Sequence, residues 1–211
     1  MANVKKATNA NIIFAADIVR NGGLIVYPTD TVYGIGCDPF NEGALRRLIR
    51  VKGREEKPLP IMASNLRSAR RVASFTSAEL KLAKHFWPGA LTIVLKRREN
   101  LPSLVTFGRD KVGVRVPAHL VARSLAKLCG GLLIGTSANL SGMTPSKTAA
   151  EANQQFGKEV DVILDACSTE GGVSSTVVEM VGSRPKILRS GPISMAEIRG
   201  VLDPGEDHGR V

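Results

Sequence analysis

Leu24-Ile-Val-Tyr27, followed by Pro28-Thr-Asp-Thr-Val-Tyr-Gly-Ile-Gly36, changes character at its fifth residue. The first four residues are apolar and short, as a strand requires. Pro28 stops that strand, because proline has no N–H to give to a sheet. Two threonines, an aspartate and a tyrosine follow. Gly34 and Gly36 then permit close approach of the backbone to a ligand. Polar groups gathered at the end of an apolar strand suit a ligand site in an α/β protein. A plain strand-to-helix loop is the alternative reading of the same residues.

Upstream, residues 9–21 predict a helix, with Ile12, Ala16 and Val19 on one face and Gly22 to end it. Downstream, Glu42–Val51 predicts a second helix, with Leu45, Leu48 and Ile49 inward and Asn41 as its cap. Thr76 with Glu79, Thr148 with Glu151, and Ser194 with Glu197 have the spacing of capping boxes. Trp87-Pro-Gly89 ends the first of these helices, and Val121–Leu128 is another. Strands are expected at Ile61–Ala63, Leu91–Lys96, Val112–Val116, Leu132–Thr136, Val162–Asp165, Ser175–Met180 and Lys186–Leu188. Interspersed helices and strands predict an α/β fold with a twisted, mixed sheet flanked by helices. One domain over residues 1–202 and a polar tail at 203–211 account for the 211 residues.

Hydrophobic residues make up 43% of the chain and aromatics only 4%, so the core is expected to be aliphatic. No apolar run reaches the roughly 18 residues of a membrane span. The first residues have no apolar signal region, so a cytoplasmic protein with no membrane association is expected. Cys37, Cys129 and Cys167 form no CxxC, and His85, His119 and His208 are scattered. Neither a disulfide framework nor a metal centre is expected. The formal charge of +10 suits an anionic partner such as a nucleotide or RNA, and equally a solvated basic surface.

Three further segments place hydroxyl, amide or basic groups at the ends of apolar elements. Lys52-Gly-Arg54 closes the Glu42–Val51 helix. Its cations compensate the helix dipole or, with Gly53 breaking the helix, turn toward a phosphate chain. Gly135-Thr-Ser-Ala-Asn-Leu-Ser-Gly142 follows the apolar run Leu132–Ile134 and is too polar to continue a core strand, so it is either part of a site or a Ser/Asn turn. Ser174–Glu179 with Lys186–Gly191 makes either one wall of a site or an edge hairpin. No GxxxxGK[ST], strand-following GxGxxG, GxSxG or HExxH occurs. A nucleotide would therefore be held by basic and hydroxyl side chains.

In this order, PTDTVYGIG (28–36), KGR (52–54), FWPGALTIVL (86–95), VGVRVP (112–117), TSANLSG (136–142), SSTVVE (174–179) and ILRSGPIS (187–194) resemble the YrdC-like family of threonylcarbamoyl-AMP synthases. The resemblance runs from about Asn11 to Leu202. It implies a single α/β domain around a basic cavity, in the short form of the family. It also implies synthesis of threonylcarbamoyl-adenylate and pyrophosphate from L-threonine, bicarbonate and ATP with Mg2+, without a dedicated metal cage. The product serves modification of tRNA next to the anticodon through a separate transferring partner, with weak direct tRNA binding. By the same resemblance Lys52 and Arg54 act in catalysis. ATP is held by Lys52, Arg54, Lys111, Ser137, Asn139, Pro145 and Arg189, and threonine by Thr31, Arg115, Gly135 and Ser175. The Glu55-Glu-Lys57 loop departs from the family, being one residue shorter and acidic, and Ser190 stands where proline is common. Two alternatives are a basic RNA-binding module without catalysis and a paralogue that adenylates or carbamoylates another substrate. Scarce aromatics, with Tyr27 and Tyr33 the only tyrosines, speak against the first.

Overall fold

A computed structural model describes residues 3–53, 57–169 and 171–203. The chain runs β1 (Asn3–Lys6), α1 (Asn9–Arg20), β2 (Ile25–Tyr27), β3 (Gly34–Gly36), α2 (Glu42–Val51), β4 (Ile61–Ala63), α3 (Leu66–Ala69), β5 (Ala73–Ser74), α4 (Ser77–Phe86) and β6 (Leu91–Arg97). It continues with α5 (Ser103–Thr106), β7 (Lys111–Arg115), α6 (Leu120–Leu128), β8 (Leu132–Ile134), β9 (Thr136–Ser137), α7 (Ala149–Phe156), β10 (Val162–Asp165), β11 (Thr176–Val181), β12 (Arg184–Arg189) and α8 (Met195–Leu202).

The strands form two mixed sheets where the sequence suggested one. The first has the order β1-β10-β2-β3-β9 and the second β12-β11-β6-β7-β4-β8, with β5 paired to β6. The expected Leu132–Thr136 strand divides at Gly135. Its first half, β8, pairs with β4, and its second, β9, pairs with β3. Gly135 is thus where the chain leaves one sheet for the other. A Cβ there would stand 2.3 Å from Met62 Cγ and 2.6 Å from the Tyr27 hydroxyl. The Tyr27 hydroxyl donates to Ile134 O at 3.0 Å and Ile134 N to Cys37 O at 2.9 Å, which ties the sheets together beside this crossing. The loop expected at Gly34–Gly36 is β3, a strand whose side chains are too small to betray it. A Cβ on Gly36 would lie 1.7 Å from Ile134 O.

Helix ends follow side-chain chemistry. Asn41 accepts from Ala44 N and opens α2, while Thr76 and Ser194 form complete capping boxes with Glu79 and Glu197. Thr148 caps α7, but the Glu151 carboxylate accepts from Lys147 N at 2.6 Å, so that box is half made. The core is aliphatic, as composition implied. Leu91, Ile93, Leu95, Val112 and Val114 are fully buried on one face of the larger sheet, over which α4 and α8 pack. On the smaller sheet, α1 and α6 cover Ile25, Tyr27, Val162 and Leu164. Among the described residues no helix is long and apolar enough to cross a membrane.

Candidate active site: a cationic cavity where the sheets meet

Strand alternation builds the floor of the site. Leu91, Ile93 and Leu95 of β6 enter the core, so Thr92 and Val94 turn to the opposite face. Gly113 and Arg115 do the same on β7, and Val177 on β11. The register sets Arg189 beside Val177, Val177 beside Thr92, and Val94 beside Gly113. These residues form the floor of a cavity of about 360 Å³. Its other wall comes from the smaller sheet: Thr29, Thr31, Val32 and Tyr33 from the β2–β3 loop, Gly34, and Thr136 and Ser137 of β9. Lys52, at the C-terminus of α2, closes one side.

Four cations, Lys52, Lys57, Arg115 and Arg189, line the cavity, and among the described residues no carboxylate does. Lys52 is buried. Its Nζ donates to Ser137 O at 2.6 Å and to Asn139 O, and lies 5.8 Å from the Phe156 ring. Asn139 Nδ2 donates to Leu140 O and Met143 O, while its buried Oδ1 has no hydrogen-bond partner among the described residues. Arg115 is 2% exposed. Its Nε donates to Gly89 O at 2.8 Å and its Nη1 to Thr31 Oγ1 at 2.9 Å. Its Nη2 meets Asp30 Oδ2 at 2.6 Å as a charge contact without hydrogen-bond alignment. Burial pulls the Arg115 pKa down and the Asp30 carboxylate opposes that pull. Arg189 donates from Nε and Nη2 to Ser175 O and from Nη2 to Ser175 Oγ. Burial pushes the Tyr33 hydroxyl up to about 12, so it keeps its proton near neutrality, donating to Cys167 O and accepting from Ala166 N.

The segments picked out in the sequence converge here. Thr31, Lys52, Arg115, Gly135, Ser137, Asn139, Ser175 and Arg189 all line the cavity. Lys111 and Pro145 do not. Lys111 shares the Gly113–Arg115 face but lies at the far end of β7, where Glu179 Oε1 takes its ammonium at 2.6 Å and raises its pKa. Pro145 is half-buried in the loop beyond Ser141 and Gly142, which do line the cavity. Arg54 and the departure at Glu55 and Glu56 lie outside the described residues. Sequence reasoning missed Asp30, Lys57 and Thr92. For Thr92 a signal existed: it is the lone hydroxyl within the apolar run Leu91–Leu95.

With these groups the cavity can take a polyanion on Lys and Arg and orient small oxygens with hydroxyls. No cysteine or histidine lines it among the described residues. Burial holds the Cys37 thiol up at about 12, away from nucleophilic use.

A family model, Sua5/YciO/YrdC, described as "Telomere recombination", matches residues 17–191. The threonylcarbamoyl-AMP synthase of Idiomarina loihiensis is 43% identical over 167 residues, covering 77% of this chain and 89% of that protein. That of Pyrococcus abyssi is 37% identical over 193 residues, covering 90% of this chain. The chain spans 57% of the length of the P. abyssi protein, under two thirds of it. P. abyssi Sua5 complexed with L-threonine superposes with a TM-score of 0.88 at 35% identity, over 95% of this chain and 60% of that one. E. coli YciO gives 0.86 at 26% identity, over 94% of this chain and all of the other. A match over most of the chain, with this fold and these identities, makes the chain a member of the Sua5/YciO/YrdC family.

Proposed function

We propose that the protein is a threonylcarbamoyl-AMP synthase, an adenylyl-transferring enzyme whose active site is the cationic cavity. The observation that carries this reading is a lining of four cations and several hydroxyls, without a carboxylate among the described residues, in a chain 43% identical over 167 residues to a synthase of that name. ATP brings about four negative charges. Lys52, Lys57 and Arg189, with Arg54, offset them, while Ser137 and Asn139 orient the phosphates. The described lining residues, cations and hydroxyls, do not suit a bare divalent cation, so Mg2+ arrives bound to the nucleotide.

L-Threonine enters on the Arg115 side. Arg115 attracts its carboxylate, Thr31 and Ser175 offer hydroxyls, and Gly135 keeps the wall free of a side chain. The threonine nitrogen attacks the carbon of bicarbonate. An N–C bond forms, a C–O bond breaks, and hydroxide leaves with an amine proton as water. A carbamate oxygen then attacks the α-phosphorus of ATP, and pyrophosphate leaves with the electron pair of the broken P–O bond. Neither step forms a bond to the protein. Orientation and charge complementarity supply the rate, as in other phosphoryl-type transfers.

Residues 1–202 act as the catalytic domain in the cytoplasm, and the adenylate passes to a partner that modifies tRNA. The +10 charge favours weak direct contact with that tRNA, and such binding should fall steeply with salt. The deciding assay is pyrophosphate release with substrates omitted in turn. Release should require both threonine and bicarbonate. Equal release with alanine, or with no amino acid, would remove the assignment.

A further inference from the structure

Thr92 on β6 and Ser175, immediately before β11, line the cavity floor, 5% and 4% exposed, with Thr92 Oγ1 and Ser175 Oγ 2.8 Å apart. Arg189 Nη2 donates to Ser175 Oγ at 3.0 Å. Two hydroxyls have two protons, and only one can bridge the pair. The other has no acceptor among the described residues, although both groups line the cavity. A buried O–H without an acceptor is costly in a folded protein, and an oxygen of a bound ligand would remove that cost.

The position narrows the ligand. The register that pairs Ile93 with Val114 brings Thr92 level with Arg115, and the next strand sets it beside Val177, itself paired with Arg189. Thr92 therefore lies between the guanidinium assigned to threonine and the one assigned to the nucleotide. In the proposed reaction the carbon unit must sit between the threonine nitrogen and the α-phosphorus. A neutral hydroxyl also suits it chemically, because it fixes a carboxylate oxygen without withdrawing as much of its nucleophilicity as a directly bonded cation.

Resting on the function proposed above, we infer that the Thr92 hydroxyl, positioned by Ser175 and through it by Arg189, binds bicarbonate and then the carbamate carboxylate formed from it. Thr92 holds one oxygen of the trigonal anion while the threonine nitrogen attacks its carbon, and it keeps hold of the carboxylate as another oxygen turns to phosphorus.

The experiment measures initial rates of pyrophosphate release by wild type, Thr92→Val and Thr92→Ser. Bicarbonate is titrated in CO2-depleted buffer at saturating threonine and ATP, and the other two substrates are then titrated in turn. Thr92→Val should raise the bicarbonate KM about ten- to a hundredfold, the range of a hydrogen bond to a charged group, and leave the threonine and ATP KM values within about twofold. Thr92→Ser, which keeps the hydroxyl, should stay within about threefold of wild type throughout. Thermal unfolding checks that the variants are folded, and Thr92→Ala replaces the valine variant if that one is not. An unmoved bicarbonate KM in a folded variant lacking the hydroxyl overturns the inference. So does an equal rise in the threonine KM, which would assign the hydroxyl to the amino acid. Wild type that releases no pyrophosphate with all three substrates removes the functional reading and this inference with it. An active wild type with an unmoved variant removes the inference alone.

Discussion

Replacing Lys52 by Met separates the two tasks the structure gives this lysine. The methionine keeps an unbranched stem against Phe156 and deletes only the ammonium, which holds the carbonyls of Ser137 and Asn139. Hydrogen bonds from a charged donor are worth roughly 1.5–3 kcal/mol each, so the two together come to about 3–6 kcal/mol. Part of that returns, because a buried ammonium no longer has to be desolvated and water in the cavity reaches the freed carbonyls. An offset of about half leaves a loss of roughly 1.5–3 kcal/mol. For a chain of this length each kcal/mol moves the melting temperature by about 2–4 °C, so Lys52→Met should melt roughly 3–12 °C below wild type. Circular dichroism measures that, and pyrophosphate release at varied ATP reads the second task. The folded variant should lose about a hundredfold in kcat/KM for ATP, an effect of roughly 2.7 kcal/mol. A melting temperature within about 2 °C of wild type would refute the claim that Lys52 holds the 137–139 loop. A destabilised variant with unchanged ATP kinetics would make it a staple only, with no hand in receiving the triphosphate.

Gly36→Ala should destabilise by about 2–4 kcal/mol, because its Cβ meets the Ile134 carbonyl at 1.7 Å and backbone at the sheet junction must move; a denaturant midpoint equal to wild type would count against that geometry. Asp30→Asn leaves the Arg115 guanidinium buried without its counter-charge and should cost roughly 3 kcal/mol while shifting the threonine KM more than the ATP KM; equal shifts in both would deny Arg115 its side of the cavity. Iodoacetamide on the native protein near neutral pH should label exposed Cys167 far faster than Cys37, which is fully buried with its thiol pushed up to about 12; mass spectrometry finding early label on Cys37 would contradict its burial.

Helices were legible to within a residue or two where capping side chains announced them, as with Asn41 before α2 and Ser194 before α8. Strands were legible where alternation or apolar runs marked them. β3 was not, because Gly-Ile-Gly carries no pattern of period two, and its strand character comes from pairing with β2 and β9. The break at Gly135 was hidden for a related reason: only tertiary pairing distinguishes a strand that ends from one that changes sheet. The cavity was partly legible, since hydroxyl, amide and cationic residues at element ends were visible, and family resemblance said which to gather. Asp30 was visible in the quoted motif, but that it neutralises a buried guanidinium depends on β7 lying alongside. Lys111 shows the converse. A neighbouring glutamate on β11, which no motif announces, decides where its charge goes.

The order in which the chain visits its two sheets has a bearing on how it reaches this structure. The smaller sheet takes β1, β2, β3, β9 and β10, and the larger takes the remaining strands, so the backbone passes from one to the other after β3, again at Gly135 and again after β10. Neither sheet is a continuous stretch of sequence. No single cut releases either as a self-sufficient fragment, and contacts such as β1 with β10 or β4 with β7 close long loops before they return any stability. Assembly of this kind is governed by distant pairings, which makes folding slow.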